Sequence, residues 1–120
     1  MAEHNQLGNK GEMLASRYLI DKGYVILHRN WRSGHKEIDV IARDGETLVF
    51  VEVKSRRDEF YGNAYEAVTA QKIRRLISAA ESYIIRNRID MCYRFDIVTV
   101  VGTGEPYKIE HIQDAFHATW

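Results

Sequence analysis

The run Thr47-Leu48-Val49-Phe50-Val51-Glu52-Val53-Lys54 constrains this chain more than any other stretch. Its β-branched and aromatic content is that of a strand buried on both faces. A period of two sends Val49, Val51 and Val53 to one side, and Leu48, Phe50, Glu52 and Lys54 to the other. A carboxylate and an ammonium at the end of such a strand carry a large desolvation cost unless they are paired or hold a metal. Just upstream, Glu37-Ile38-Asp39-Val40-Ile41-Ala42 reads as a second strand, and Arg43-Asp44-Gly45-Glu46 as the turn of a hairpin. That hairpin brings Asp39 close to Glu52, so that two carboxylates and a lysine converge on one spot.

Such a set has two readings. The carboxylates, with the carbonyl of Val53, offer the hard oxygen ligands that Mg²⁺ or Mn²⁺ prefers, and Lys54 can orient or deprotonate a water or hold a phosphate. That combination suits phosphodiester hydrolysis. The same residues also suit an Asp–Lys–Glu salt-bridge network closing the end of a sheet. Glu12, at the edge of the apolar stripe of the first helix, would join the carboxylates if that helix packs on the sheet; otherwise it is a solvated side chain.

At 120 residues the chain is long enough for one domain, 1–120, and too short for two. Its 17 basic and 17 acidic residues cancel, so any case for a nucleic-acid partner rests on local charge distribution. The lone Cys92 cannot form an internal disulfide, which favours a reducing compartment. No signal peptide pattern opens the sequence, and no apolar run approaches the ~20 residues of a membrane span. A cytoplasmic protein without membrane attachment is expected.

Leu7, Leu14, Ala15, Tyr18 and Leu19 mark an amphipathic helix over residues 7–22, closed by Gly23. A short strand at 24–28, a loop at 30–34 and the hairpin of 36–54 follow. A polar stretch leads to a long helix from about Ala64 to Asn87, whose buried side is Ala64, Ala67, Val68, Ile73, Leu76, Ile77, Ala80 and Ile84. Strands at 93–101 and 107–112 complete the pattern, with a short helical tail. The order α-β-β-β-α-β-β implies an α/β domain, a mixed sheet of about five strands flanked by two main helices.

Several motifs carry a resemblance. They are Gly-Asn-Lys-Gly-Glu12, Gly23-Tyr24-x-Ile-Leu, Arg29-Asn30-Trp31-Arg32, Glu37-Ile38-Asp39-Val40-Ile41-Ala42, Phe50-Val51-Glu52-Val53-Lys54-x-Arg56, Ala67-Val68 with Lys72, and Arg94-Phe95-Asp96-Ile97-Val98. In order and spacing, over residues 8–101, they closely resemble the YraN family (UPF0102). That family is similar in turn to archaeal Holliday-junction resolvases and other PD-(D/E)xK nucleases. The resemblance implies a restriction-endonuclease-like fold and a metal-dependent nuclease acting on branched or junction DNA. By motif it assigns metal ligation to Glu12, Asp39 and Glu52, with Mg²⁺ or Mn²⁺ as cofactor, and catalysis to these three with Lys54. One departure is Lys36, which stands where relatives usually have Gly before Glu-Ile-Asp.

Basic residues gather around the same spot. Arg29, Arg32, His35 and Lys36 precede the hairpin, Lys54, Arg56 and Arg57 end it, and Lys72, Arg74 and Arg75 lie on the long helix. Arg29, Arg32, Lys36, Arg56, Arg57, Lys72 and Arg75 are the expected phosphate contacts, and Lys72 could also reach the carboxylates. Trp31, Phe60 and Tyr61 would either stack on unpaired bases or staple the loops to the sheet. Asp96 reads as an ion-pair or edge residue rather than a further ligand. Cutting two strands would call for a homodimer. The alternative is a non-catalytic nucleic-acid-binding module that keeps the fold and its acidic cluster.

Overall fold

The computed structural model describes residues 2–58 and 68–117, with side chains from residue 10 onward. The elements run α1 (Ala2–Asp21), β1 (Val25–Ser33), β2 (Lys36–Asp44), β3 (Thr47–Arg56), α2 (Ala70–Arg86), β4 (Cys92–Val101) and β5 (Lys108–Phe116). The five strands form one sheet in sequential order, β1-β2-β3-β4-β5. Only β3 and β4 are parallel, because α2 carries the chain back over the sheet between them, whereas the other pairs are joined by turns. The expected α/β architecture, order and helix count all hold.

Each helix covers one face. Ala15 and Leu19 of α1 pack with Tyr24, Val40, Ala42, Val49, Val51, Val98 and Val100. On the opposite face Ile77, Ala79, Ala80 and Tyr83 of α2 pack with Ile38, Ile41, Leu48, Phe50 and Phe95. The alternation of β3 is therefore as read from the sequence, with the valines under α1 and Leu48 and Phe50 under α2. Gly23 takes the left-handed conformation (φ 95°) that ends α1. No helix among the described residues is long and apolar enough to cross a membrane.

Four boundaries differ from expectation: α1 begins at Ala2 rather than at residue 7, and the other three differ for a physical reason. Residues 30–33 are strand, not loop: Trp31, Arg32 and Ser33 pair with Ile38, Glu37 and Lys36. Their polarity reflects the place of β1 at the sheet edge, where side chains face water. After Ile112 the chain stays extended to Phe116 instead of turning helical, since Phe116 stacks on Phe95 with ring centroids 4.9 Å apart. The long helix starts at Ala70, not at 64, because Thr69 caps it by accepting a hydrogen bond from Lys72 N–H at 3.2 Å. Val68 thus precedes the helix, while Ala64 and Ala67 lie outside the described residues.

The feature that shapes the site is a fork. β2 pairs with β3 from Asp44–Thr47 to Val40–Val51 and no further. Beyond it β2 continues against β1 alone, while β3 continues against β4 as far as Arg56–Val101. Asp39 and Glu52 are the first residues past the split.

Candidate functional site

The fork leaves a backbone donor without a ladder partner, and Asp39 supplies one: Val53 N–H donates to Asp39 Oδ2 at 2.9 Å. The Val53 carbonyl leaves the strand on the same side as its N–H and so faces the fork as well. Glu52, opposite Asp39, is only 3 % exposed. Burial, then the Glu52 carboxylate, push the Asp39 carboxyl up to about 8, against the downward pull of the Val53 hydrogen bond. Two carboxyls thus stand together in a buried place that disfavours charging both.

Glu12 reaches the fork from the side of α1, and Gly11 explains how. A Cβ on Gly11 would overlap Ser55 Oγ of β3, so only glycine lets this turn of α1 lie so close to the strand. The Asn30 side chain hydrogen-bonds the Glu12 carboxyl, which burial raises above its ordinary pKa in spite of that bond and of nearby Arg29. Glu12 Oε1 is buried with no hydrogen-bond partner, as is Ser16 Oγ one turn along α1. Among the described residues no three His, Cys, Asp or Glu side chains stand close enough together to hold an ion as they are. Glu12 would therefore reach an ion at Asp39 and Glu52 through a shift of its side chain or a bridging water.

Two lysines meet Glu52. Lys72 Nζ of α2 lies 3.0 Å from Glu52 Oε2, and Lys54 Nζ lies 3.8 Å from the same oxygen. The nearer lysine is the one the sequence placed only among phosphate contacts or weakly near the carboxylates. Glu52 Oε2 is buried and held by these two ammonium groups. Burial and the Lys72 ammonium push the Lys54 amine below the usual lysine range. Burial opposes the Lys72 charge too, but Glu52 more than offsets it and the Lys72 pKa rises.

Beside the carboxylates, His35, Lys36, Glu37, Lys72, Arg75 and Leu76 line a cleft of about 440 Å³. It gathers Lys36, Lys72 and Arg75 from the expected phosphate contacts. Arg29 stands at Glu12, while Arg32 is exposed and ion-paired with Glu37 at 3.3 Å. Arg56 is half-buried at the end of β3, where its carbonyl accepts from Gly102 N–H at 2.9 Å. Arg57 is exposed just beyond it.

Trp31 is a staple, not a free stacking platform. It meets Tyr83 edge-on with centroids 5.3 Å apart, and Arg86 lies over its ring at 5.7 Å. Phe60 and Tyr61 lie outside the described residues. Asp96 is an ion-pair residue as expected, held by Arg94 at 3.0 Å and His111 at 2.7 Å under α1. Cys92 is an exposed thiol at the start of β4.

Sequence reasoning missed Asn30 and the role of Gly11. Asn30 sits in the left-handed region (φ 54°) opposite the fork; Asn tolerates that conformation better than most residues, and this was the one available signal.

The family model for "Uncharacterised protein family UPF0102" matches residues 11–100, the span that holds every residue of the fork. A UPF0102 protein of Phocaeicola vulgatus is 49% identical over 117 residues, covering 98% of this chain and 97% of its own length. One from Bacteroides fragilis is 50% identical with the same coverage, and one from Geobacter metallireducens is 45% identical with full coverage of both chains. The chain belongs to the UPF0102 family.

Proposed function

We propose that this protein is a metal-dependent phosphodiester hydrolase acting on structured DNA, with its centre at the fork between β2 and β3. The observation that carries this reading is the buried Asp39–Glu52 pair with Lys54 two residues along the same strand. A structural ion-pair network has no need to bury two carboxyls against each other, raising one of them to about 8; a divalent cation would relieve that conflict. Glu12 Oε1, buried without a hydrogen bond, and the carboxylate oxygens of Asp39 and Glu52 are of the kind that Mg²⁺ or Mn²⁺ takes. Asp39, Glu52 and Glu12 would hold the ion, with the Val53 carbonyl as a further ligand. When bound, the ion would lower the pKa of a coordinated water and neutralise charge building on the phosphoryl oxygens.

The chain's own residues supply the rest. Lys54, its pKa lowered chiefly by burial, is poised to accept or hold a proton from the attacking water. The cleft of Lys36, Lys72 and Arg75 would hold the phosphates next to the cut. The preference for branched or junction DNA rests on the likeness of the sequence motifs to junction resolvases, and paired cuts would require two copies of the chain.

A second reading has its own support. Lys72 and Lys54 both stand on Glu52, an arrangement that also suits a non-catalytic nucleic-acid-binding module. Incubation with Mg²⁺ or Mn²⁺ and a panel of duplex, flap and four-way-junction DNAs separates the two. The nuclease reading expects cleavage by the wild type and a loss of at least about 100-fold in Asp39→Asn. No cutting by the wild type, or equal cutting by the variant, would leave the binding module.

A further inference from the structure

We propose that Lys72 is an exchangeable counter-cation: it occupies the negative charge of Glu52 until a divalent ion enters, and is then released to the phosphate cleft. This rests on the metal-dependent reading above. Of the two lysines at the fork, Lys72 is the closer, at 3.0 Å from Glu52 Oε2 against 3.8 Å for Lys54. Glu52 Oε2 is buried and its contact with Lys72 is an ion pair, and a charge of the same sign and harder character would compete for the place. An ammonium on a flexible four-carbon stem is suited to such exchange.

The same side chain has somewhere to go. Lys72 lines the cleft that also holds His35, Lys36 and Arg75, and 43 % of its side chain is exposed. Its backbone is fixed, since Thr69 caps α2 through the Lys72 N–H, so exchange requires movement of the side chain alone. Lys54 differs on both counts. It is on the central strand and only 24 % exposed, and it stays at the fork when Lys72 leaves. One ion entering therefore does two things: it takes over the neutralisation of Glu52, and it adds a free ammonium to the surface that receives phosphate.

Titration calorimetry with Mn²⁺ alone, on the wild type, Lys72→Met and Lys72→Arg, tests the exchange. Removing a competing cation must tighten ion binding, so Lys72→Met should bind Mn²⁺ roughly three- to tenfold more tightly, the scale of a partly exposed ion pair. Lys72→Arg, which keeps the charge, should bind like the wild type. In parallel, acetylation of Lys72 in the wild type, read by mass spectrometry, should speed up when Mn²⁺ is added. A purely structural Lys72 predicts the opposite sign: Lys72→Met would disorder Glu52 and bind the ion equally or more weakly. That outcome, or unchanged acetylation, overturns the exchange while leaving the metal centre standing. If the wild type binds no Mn²⁺ at all, the metal-dependent reading itself fails, and the exchange with it.

Discussion

Asp39 carries a measurable signature of the fork. Its folded-state pKa of about 8 lies above the ordinary value of 3.8. Between those values the folded protein holds a proton that the unfolded chain has lost, so stability falls as pH rises through the window. The contribution is complete below about pH 4 and gone above about pH 8. Glu12, raised in the same direction, adds to the slope. Without metal, the thermal midpoint should therefore fall between pH 5 and 8.5. Asp39→Asn, which can still accept from Val53 N–H, should flatten that profile and raise the midpoint at pH 8 by about 3–6 °C, as followed by circular dichroism. The acidic pair was legible in the sequence because a hairpin across Arg43–Glu46 leaves little freedom in register. The primacy of Lys72 over Lys54 was not, because it depends on where α2 begins, and the apolar periodicity placed that start several residues early.

At the scale of elements, two packing decisions hold the site together. One is the contact of α1 with β3 at Gly11 and Ser55. Gly11→Ala should cost about 1–3 kcal/mol in urea unfolding, more than its gain in helix propensity returns, and should move Glu12 away from the fork. Ser55→Ala added to it removes the hydroxyl and should restore part of the loss, since the remaining Cβ would meet the new methyl at 3.0 Å. The second decision is β5, whose place at the edge is fixed by Asp96. Asp96 is buried, yet His111, Arg94 and the Asp114 N–H together hold its carboxyl below the usual range. The edge strands explain why β1 and β5 were read too short. An edge strand buries one side only, and its polar residues imitate a loop until their ladder partners are known. The central strands, with periodic apolar faces, left no such ambiguity.

For the whole molecule, zero formal charge removes long-range attraction to DNA, and the proposed binding would rest on the local group of cations beside the fork. Three phosphate contacts, from Lys36, Lys72 and Arg75, would give a slope of log K against log salt of roughly −2 to −3, and Arg75→Gln should reduce that slope by about 1. Fluorescence anisotropy with a labelled junction at several salt concentrations reads both. A slope near zero would remove the cleft from the account.

The central claim is that Asp39 and Glu52 form a divalent-metal centre. A crystal grown with Mn²⁺ and measured for anomalous scattering tests it most directly. The account predicts an anomalous peak about 2.0–2.2 Å from oxygens of both carboxylates, with Lys72 drawn back into the cleft. A crystal with no peak at the fork, and with Lys54 and Lys72 still standing on Glu52, would contradict it.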